Sequence, residues 1–250
     1  MESRAVLPLL CLCIGLTVAR PTDDRRRLTA TRPMESLRRF EGDIVLRGNV
    51  TDRNAITREI NKWPDGRIPF VIESSLGRYI PSIKKAMREI HSKTCIRFVR
   101  RTNEVNYISL FYGDGCYSSV GVDPVPGPRP VAIGEGCIFH GTIIHELLHS
   151  VGFYHEHSRS DRDEYIDIFP DNVADENMDQ FKKLKPHQNR LLSPFDYDSV
   201  MLYGSNAFAR NRRVFTMLKK SGGRLTEVFD KSGLSEHDVY RINQLYICRV

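Results

Sequence analysis

His145-Glu146-Leu147-Leu148-His149-Ser150-Val151-Gly152-Phe153-Tyr154-His155 is the stretch around which this chain has to be read. Residues four apart on an α-helix share one face, so His145 and His149 can both reach a single ion. Glu146 follows the first histidine and can direct its carboxylate at the ion's open side. Gly152 is where the helix is expected to stop, because glycine takes positive φ without steric penalty. The chain then reverses and brings in His155 as a third nitrogen donor. Ile143, Ile144, Leu147, Leu148 and Val151 supply the apolar faces that seat this helix in a core. Three neutral imidazoles with a fourth position open form the donor set of catalytic zinc, whereas structural zinc takes all four donors from protein. Zinc brings the pKa of a bound water to about 7, and Glu146 is then placed to take its proton during attack on a carbonyl. With 8 histidines and 17 glycines in 250 residues, the five fixed positions recur by chance in roughly 3 of 100,000 such chains. One Zn2+ per catalytic domain is expected.

Composition narrows the setting. Charged residues are 27% and hydrophobic residues 40%, ordinary for a globular protein and against bulk disorder. The 37 basic and 31 acidic side chains leave +6, but residues 1–53 hold 10 against 7 of these and residues 54–250 only 27 against 24. A mild, interspersed excess is a solubility feature, so no nucleic-acid partner is expected. Residues 5–19 (AVLPLLCLCIGLTVA) form an apolar run after one basic residue and end in Thr17-Val18-Ala19, small residues suited to a signal peptidase. The run is short for a membrane span, and no other segment approaches one. Residues 1–19 are therefore expected to be a signal peptide, the product secreted and extracellular, with no membrane partner. Cys11 and Cys13 leave with that signal. Cys95, Cys116, Cys137 and Cys248 remain, an even number for an oxidising compartment, with three possible connectivities. No CxxC pair suggests a four-cysteine zinc site among them.

Residues 20–53 are poor in large apolar groups and carry Arg25-Arg26-Arg27 and Arg38-Arg39, too little to build a core alone. Asn49-Val50-Thr51 is the one Asn-x-Ser/Thr sequon, so any N-glycan falls on Asn49. Globular patterning begins at Asn54. Residues 68–72, 96–99 and 107–112 read as strands, the first after a Pro64-Asp65-Gly66 turn. Residues 79–91 carry Ile80, Ile83, Met87 and Ile90 at helical spacing, with Ser82 as a candidate cap after Pro81. Residues 123–130 (DPVPGPRP) read as a loop, residues 139–153 as the histidine-bearing helix and residues 235–246 as a last amphipathic helix. A single catalytic domain over 54–250 is expected to follow a pro-segment over 20–53.

The eleven-residue zinc motif, followed by Ser199-Val200-Met201-Leu202-Tyr203 as a Met-turn, has the pattern of the metzincin proteases. HGTIIHELLHSVGFYHEHSRSDRD (140–163), WPDGRIPFVI (63–72), GCYSSVG (115–121), Tyr203 in the Met-turn and a cysteine two residues from the chain's end closely resemble the astacin family of zinc endopeptidases. That resemblance covers nearly all of 54–250 and reaches into the pro-segment. It implies an α+β, two-lobed catalytic domain: a twisted mixed sheet with the active-site helix in the N-terminal lobe, and a mostly irregular C-terminal lobe. It implies Tyr203 as a further zinc ligand able to swing away and hydrogen-bond the oxyanion, and Met201 packing beneath the metal. It selects Cys95–Cys248 and Cys116–Cys137 among the connectivities. It makes the strand near Cys116–Val120 the rim on which an extended protein or peptide substrate adds as an antiparallel strand. Tyr117, where a tryptophan is common, and Val122, in place of a frequent arginine, depart from the family, as does the proline-rich 123–130 stretch.

Phe40-Glu41-Gly42-Asp43 resembles the same family's aspartate switch, with Gly42 permitting a tight turn and Asp43 replacing the catalytic water as the zymogen's zinc ligand. Cleavage between Arg53 and Asn54 by a trypsin-like protease is then the activating step, and the new Asn54 amine is implied to fold toward Glu156. His91, His140, His157, His187 and His237 are expected at surface or satisfied structural positions, and Arg210, Arg212 and Arg213 on a solvated loop. The combined expectation is a secreted, monomeric zinc endopeptidase made as a zymogen, with no module after the catalytic unit. The alternative is a catalytically silent zinc-containing binding protein or toxin of the same fold. Its sequence sign, loss of Glu146, a ligand or Tyr203, is not present.

Overall fold

The computed structural model describes residues 32–46, 59–122 and 125–249. The expected signal peptide, the sequon at Asn49 and the Arg53–Asn54 bond lie outside the described residues.

Strands β1 (Ile44–Val45), β2 (Arg67–Ile72), β3 (Arg97–Arg100), β4 (Tyr107–Phe111), β5 (Cys116–Ser119) and β6 (Pro128–Ile133) form one sheet in the order β1-β5-β6-β4-β2-β3. Every pairing in it is parallel except β5 with β6. Helix α1 (Ile80–Lys93) and helix α2 (His140–Val151) pack on the sheet and on each other, and α3 (Glu236–Tyr246) closes the chain. Between α2 and α3 the chain runs mostly through short 3-10 turns, with one antiparallel pair, β7 (Ile166–Ile168) and β8 (Met217–Lys219). This is the mixed α+β arrangement that the resemblance implies.

The core follows from periodicity. Ile83, Met87 and Ile90 of α1 are buried, as their spacing requires, together with Ile143, Ile144, Leu147, Leu148 and Val151 of α2. Both turns of α2 that carry the metal motif are buried on all sides, so the helix is fixed by the core. Cys95 is bonded to Cys248, tying the approach to β3 to the chain end, and Cys116 to Cys137, tying β5 to the approach to α2.

Two local readings change. Ser82 does not cap α1: a 3-10 turn over Ser74–Tyr79 runs straight into the helix, which begins at Ile80 and places Ser82 inside its first turn. The proline-rich 123–130 stretch is not loop throughout, because Pro128, Arg129 and Pro130 open β6 and pair with Tyr107, Ile108 and Ser109 of β4. β5 joins β6 only from Val131 onward, so both prolines precede the two-sided part of the strand and their missing N–H groups are tolerated.

Candidate active site

Helix α2 sets His145 and His149 one turn apart, with ring centroids 4.7 Å from each other. Gly152 ends the helix at φ 129°, and its N–H is shared between the Leu148 and His149 carbonyls. His149 Nδ1 donates to the Phe153 carbonyl oxygen at 2.7 Å, which fastens the reversal. The reversal delivers the His155 ring 5.1 Å from that of His145 and 4.7 Å from that of His149. His145 Nδ1 donates to the Val200 carbonyl oxygen at 2.7 Å. With Nδ1 of both helix histidines committed as a donor, the Nε2 lone pairs are left to face one point.

That point is occupied on its open side by Asp43. Its carboxylate lies 3.1 Å from His145 Nε2, 3.3 Å from His149 Nε2 and 3.2 Å from His155 Nε2, while the His145 and His155 Nε2 atoms are 3.1 Å apart. Donors bonded to zinc at its usual distances span a tetrahedral edge of about 3.3 Å. All four residues are buried, and His149 Nε2 and Asp43 Oδ1 have no hydrogen-bond partner among the described residues. Orphaned atoms of this kind at matching separations, in a three-nitrogen, one-oxygen set, fit one zinc ion. Where these rings carry protons in place of an ion, burial works against the Asp43 charge, but the His155 and His149 charges and a hydrogen bond from His145 hold its carboxyl well below the ordinary range.

Asp43 reaches the site because segment 32–46 lies across the face of α2. Gly42 has φ 90°, and a Cβ there would stand 2.5 Å from the Met34 carbonyl oxygen and 2.7 Å from the Phe208 ring, so glycine is required. Phe40 and Ile44 exchange backbone hydrogen bonds around the turn. β1 then runs parallel to β5, Ile44 beside Ser118 and Val45 beside Ser119, and takes up that strand's edge. Ile44 is buried, the Arg39 guanidinium stacks 3.5 Å over the Tyr117 ring, and the Phe208 N–H donates to Glu35 at 2.8 Å.

Tyr203 stacks on the His155 ring at 4.6 Å and donates its hydroxyl to Asp43 Oδ2 at 2.6 Å. Burial, with the Asp43 charge added, pushes its pKa well above the ordinary value. Glu146 is fully buried beside His145, and neither carboxylate oxygen has a hydrogen-bond partner among the described residues. Burial and the Asp43 charge push its carboxyl well above the usual range, against a smaller opposing pull from Arg39.

Met201 is buried in the core. Its turn is clasped by Asp238 of the last helix, which accepts from the Ser199 hydroxyl at 2.7 Å and the Val200 N–H at 2.9 Å, and by Lys231 ahead of that helix, which donates to the Leu202 carbonyl oxygen at 2.7 Å. Burial pushes the Lys231 ammonium down to about 8 despite Asp238 nearby. Glu156 is buried and held by Arg159 at 2.9 Å and by Arg241, and its N–H donates to the Met201 carbonyl oxygen. Asn54 lies outside the described residues. No sequence motif marks Asp238, Lys231 or Arg241 as part of the site; the signal that could have found the neighbourhood is the helix-cap spacing of Ser235 and Asp238.

His157 takes the structural alternative, its Nε2 donating to the Gln180 carbonyl oxygen at 3.3 Å. It is buried against the rings of His155 and Tyr203, at 5.2 and 5.3 Å, with Nδ1 lacking a hydrogen-bond partner among the described residues. His140 is paired with Glu89 at 2.6 Å and His91 accepts the Phe98 N–H. His187, His237, Arg210, Arg212 and Arg213 are exposed.

Comparison with known proteins agrees with this geometry. Residues 55–247 match the model of the astacin peptidase family. The chain is 42% identical over 219 residues to an astacin-like metalloprotease toxin 1 of Loxosceles intermedia, covering 86% of this chain and 83% of that one. It is 41% identical over 220 residues to the zinc metalloproteinase nas-4 of Caenorhabditis elegans, covering 83% and 69%. Among solved structures it resembles high choriolytic enzyme 1, a hatching-enzyme zinc-protease of Oryzias latipes, with a TM-score of 0.68, 36% identity, and coverage of 82% of this chain and 99% of that one. With a match over most of its length and three histidines and a carboxylate converging where the motif requires, this chain belongs to the astacin family of zinc metalloendopeptidases.

Proposed function

We propose that the chain is a secreted zymogen that hydrolyses internal peptide bonds of proteins once residues 20–53 are removed, and that Asp43 is what keeps it silent. The observation that carries this reading is the Asp43 carboxylate 3.1–3.3 Å from all three histidine nitrogens, with the Tyr203 hydroxyl bound to it. A carboxylate oxygen is an acceptable zinc ligand, so its presence closes the position a reacting water needs.

His145, His149 and His155 would hold the metal, which supplies Lewis acidity toward a substrate carbonyl and an attacking water. Glu146, the one nearby carboxylate with both oxygens unpartnered among the described residues, takes the proton of that water and passes it to the leaving amine. Tyr203, released from Asp43, turns its hydroxyl to the oxyanion. The substrate lies extended along β5, antiparallel to it. β1 takes that edge in the parallel sense, so the pro-segment fills the groove in the reverse direction and presents no peptide bond to the reactive groups as a substrate would.

Residues 1–19 act as the signal peptide, and a trypsin-like protease cuts between Arg53 and Asn54. Two disulfides and relatives that include a toxin support export. The freed Asn54 amine is proposed to join the buried Glu156, where Arg159 and Arg241 already gather, and Asn49 is the candidate glycan site. The test is casein cleavage before and after trypsin treatment: silence before it, activity after it, and sequencing that finds Asn54 as the new N-terminus. An untreated chain as active as the treated one overturns the zymogen.

A further inference from the structure

The three ligand histidines are not supported alike. His145 and His149 direct Nδ1 to backbone carbonyls of the catalytic domain itself, Val200 and Phe153. His155 directs its Nδ1 to a side chain of the pro-segment, Glu41 Oε2, at 2.6 Å, with both groups buried. Removing the pro-segment therefore takes away the outer partner of one ligand and leaves the other two intact.

We infer that Glu41 is a positioning residue for the metal in the uncleaved chain, completing the support of His155 so that the zymogen holds zinc more tightly than blocking by Asp43 alone explains. This rests on the reading of 20–53 as a pro-segment.

Three observations converge on it. A carboxylate accepting from the far nitrogen of a ligand imidazole fixes its tautomer and raises its basicity, and such partners are worth 10–100-fold in metal affinity. Glu41 holds a left-handed backbone, φ 51°, that a residue with a Cβ adopts only when its surroundings dictate it, and its other carboxylate oxygen has no hydrogen-bond partner among the described residues. The charges also close: Asp43 and Glu41 are the two carboxylates in contact with the ligand imidazoles among the described residues, so two negative charges meet a divalent cation in a fully buried site.

The experiment uses the full uncleaved chain, carrying Glu146→Gln so that no molecule cuts itself. Zinc affinity is measured by competition with a chromophoric chelator for the parent, Glu41→Ala and Glu41→Gln. Glu41→Ala should weaken zinc binding about 10-fold or more. Glu41→Gln, which keeps an acceptor of the same size without the charge, should fall between the two. In 15N-histidine spectra the parent should show a far-downfield His155 Nδ1–H resonance, moved upfield in Glu41→Gln and lost in Glu41→Ala. The inference is overturned if both variants bind zinc as the parent does, or if the resonance is unmoved in Glu41→Gln. Because Glu41→Gln preserves shape and hydrogen bond, it decides the matter even if Glu41→Ala loosens the segment. Asp43→Ala, read separately on casein in the Glu146-intact chain, reports whether the latency reading itself fails.

Discussion

The Tyr203 hydroxyl lies 2.6 Å from Asp43 Oδ2, with the Met34 and Glu41 carbonyl oxygens both at 3.2 Å. A side chain proposed to serve the oxyanion is thus tied to the same carboxylate that faces the histidines. One short segment covers the metal's open position and engages the tyrosine together, and in the proposed activation one cleavage would free both.

Asp43→Ala should remove both restraints while leaving the three histidines in place. The uncut chain is expected to cleave casein measurably, or to reach full activity faster when trypsin is added. A variant as silent as the parent and no quicker to activate shows that another part of the segment blocks the site.

Glu146→Ala should separate metal binding from chemistry. The processed variant is expected to retain one zinc by elemental analysis and lose at least about 100-fold in kcat/KM, the scale of general acid–base catalysis. Zinc retained with near-parental activity assigns the base elsewhere.

Glu35 should make docking of the proposed pro-segment depend on pH. Burial raises its carboxyl from 4.5 to about 7, with Arg32 and Arg212 opposing and Glu227 adding. A docked pKa above the free one means that the docked form prefers the proton. Its contribution is fully present below about pH 4.5, is lost as pH rises through about 7, and amounts to at most about 3 kcal/mol. Docking should therefore be weaker at pH 8 than at pH 5, and the dependence should flatten in Glu35→Gln. Hydrogen exchange at the Ser118 amide, which donates to the Asp43 carbonyl at 2.9 Å, reads this once intrinsic rates are divided out. Equal pH dependence in parent and variant rules Glu35 out.

Asp238→Ala should damage stability and the metal site at once. It strips the acceptor from Val200 and Ser199 and leaves Arg241 and Lys231 buried with less compensation. Breaking a buried pair of this kind costs about 3–5 kcal/mol, a Tm loss on the order of 10 °C in a chain of this size. Because Val200 also receives His145 Nδ1, zinc affinity should fall with it. Calorimetry showing an unchanged Tm refutes the clasp.

Of the site, the sequence by itself determined the parts that are local. His145, Glu146 and His149 stand on one helix because 3.6-residue periodicity and a run of apolar neighbours demand it, and Gly152 ends that helix through its own φ. Resemblance added Tyr203 and Asp43 as candidates, without their contacts. Local reading failed where tertiary pairing overrode it: prolines that signal a loop open β6, since β4 supplies a partner there and β5 joins only from Val131 onward. Only the tertiary structure decided which distant groups meet. Asp43 reaches His145 across 102 positions, Glu41 reaches His155 across 114, and Asp238 steadies Val200 across 38. Such contacts depend on how the chain closes upon itself around a shared core, and no periodicity or turn signal along the chain encodes the partner.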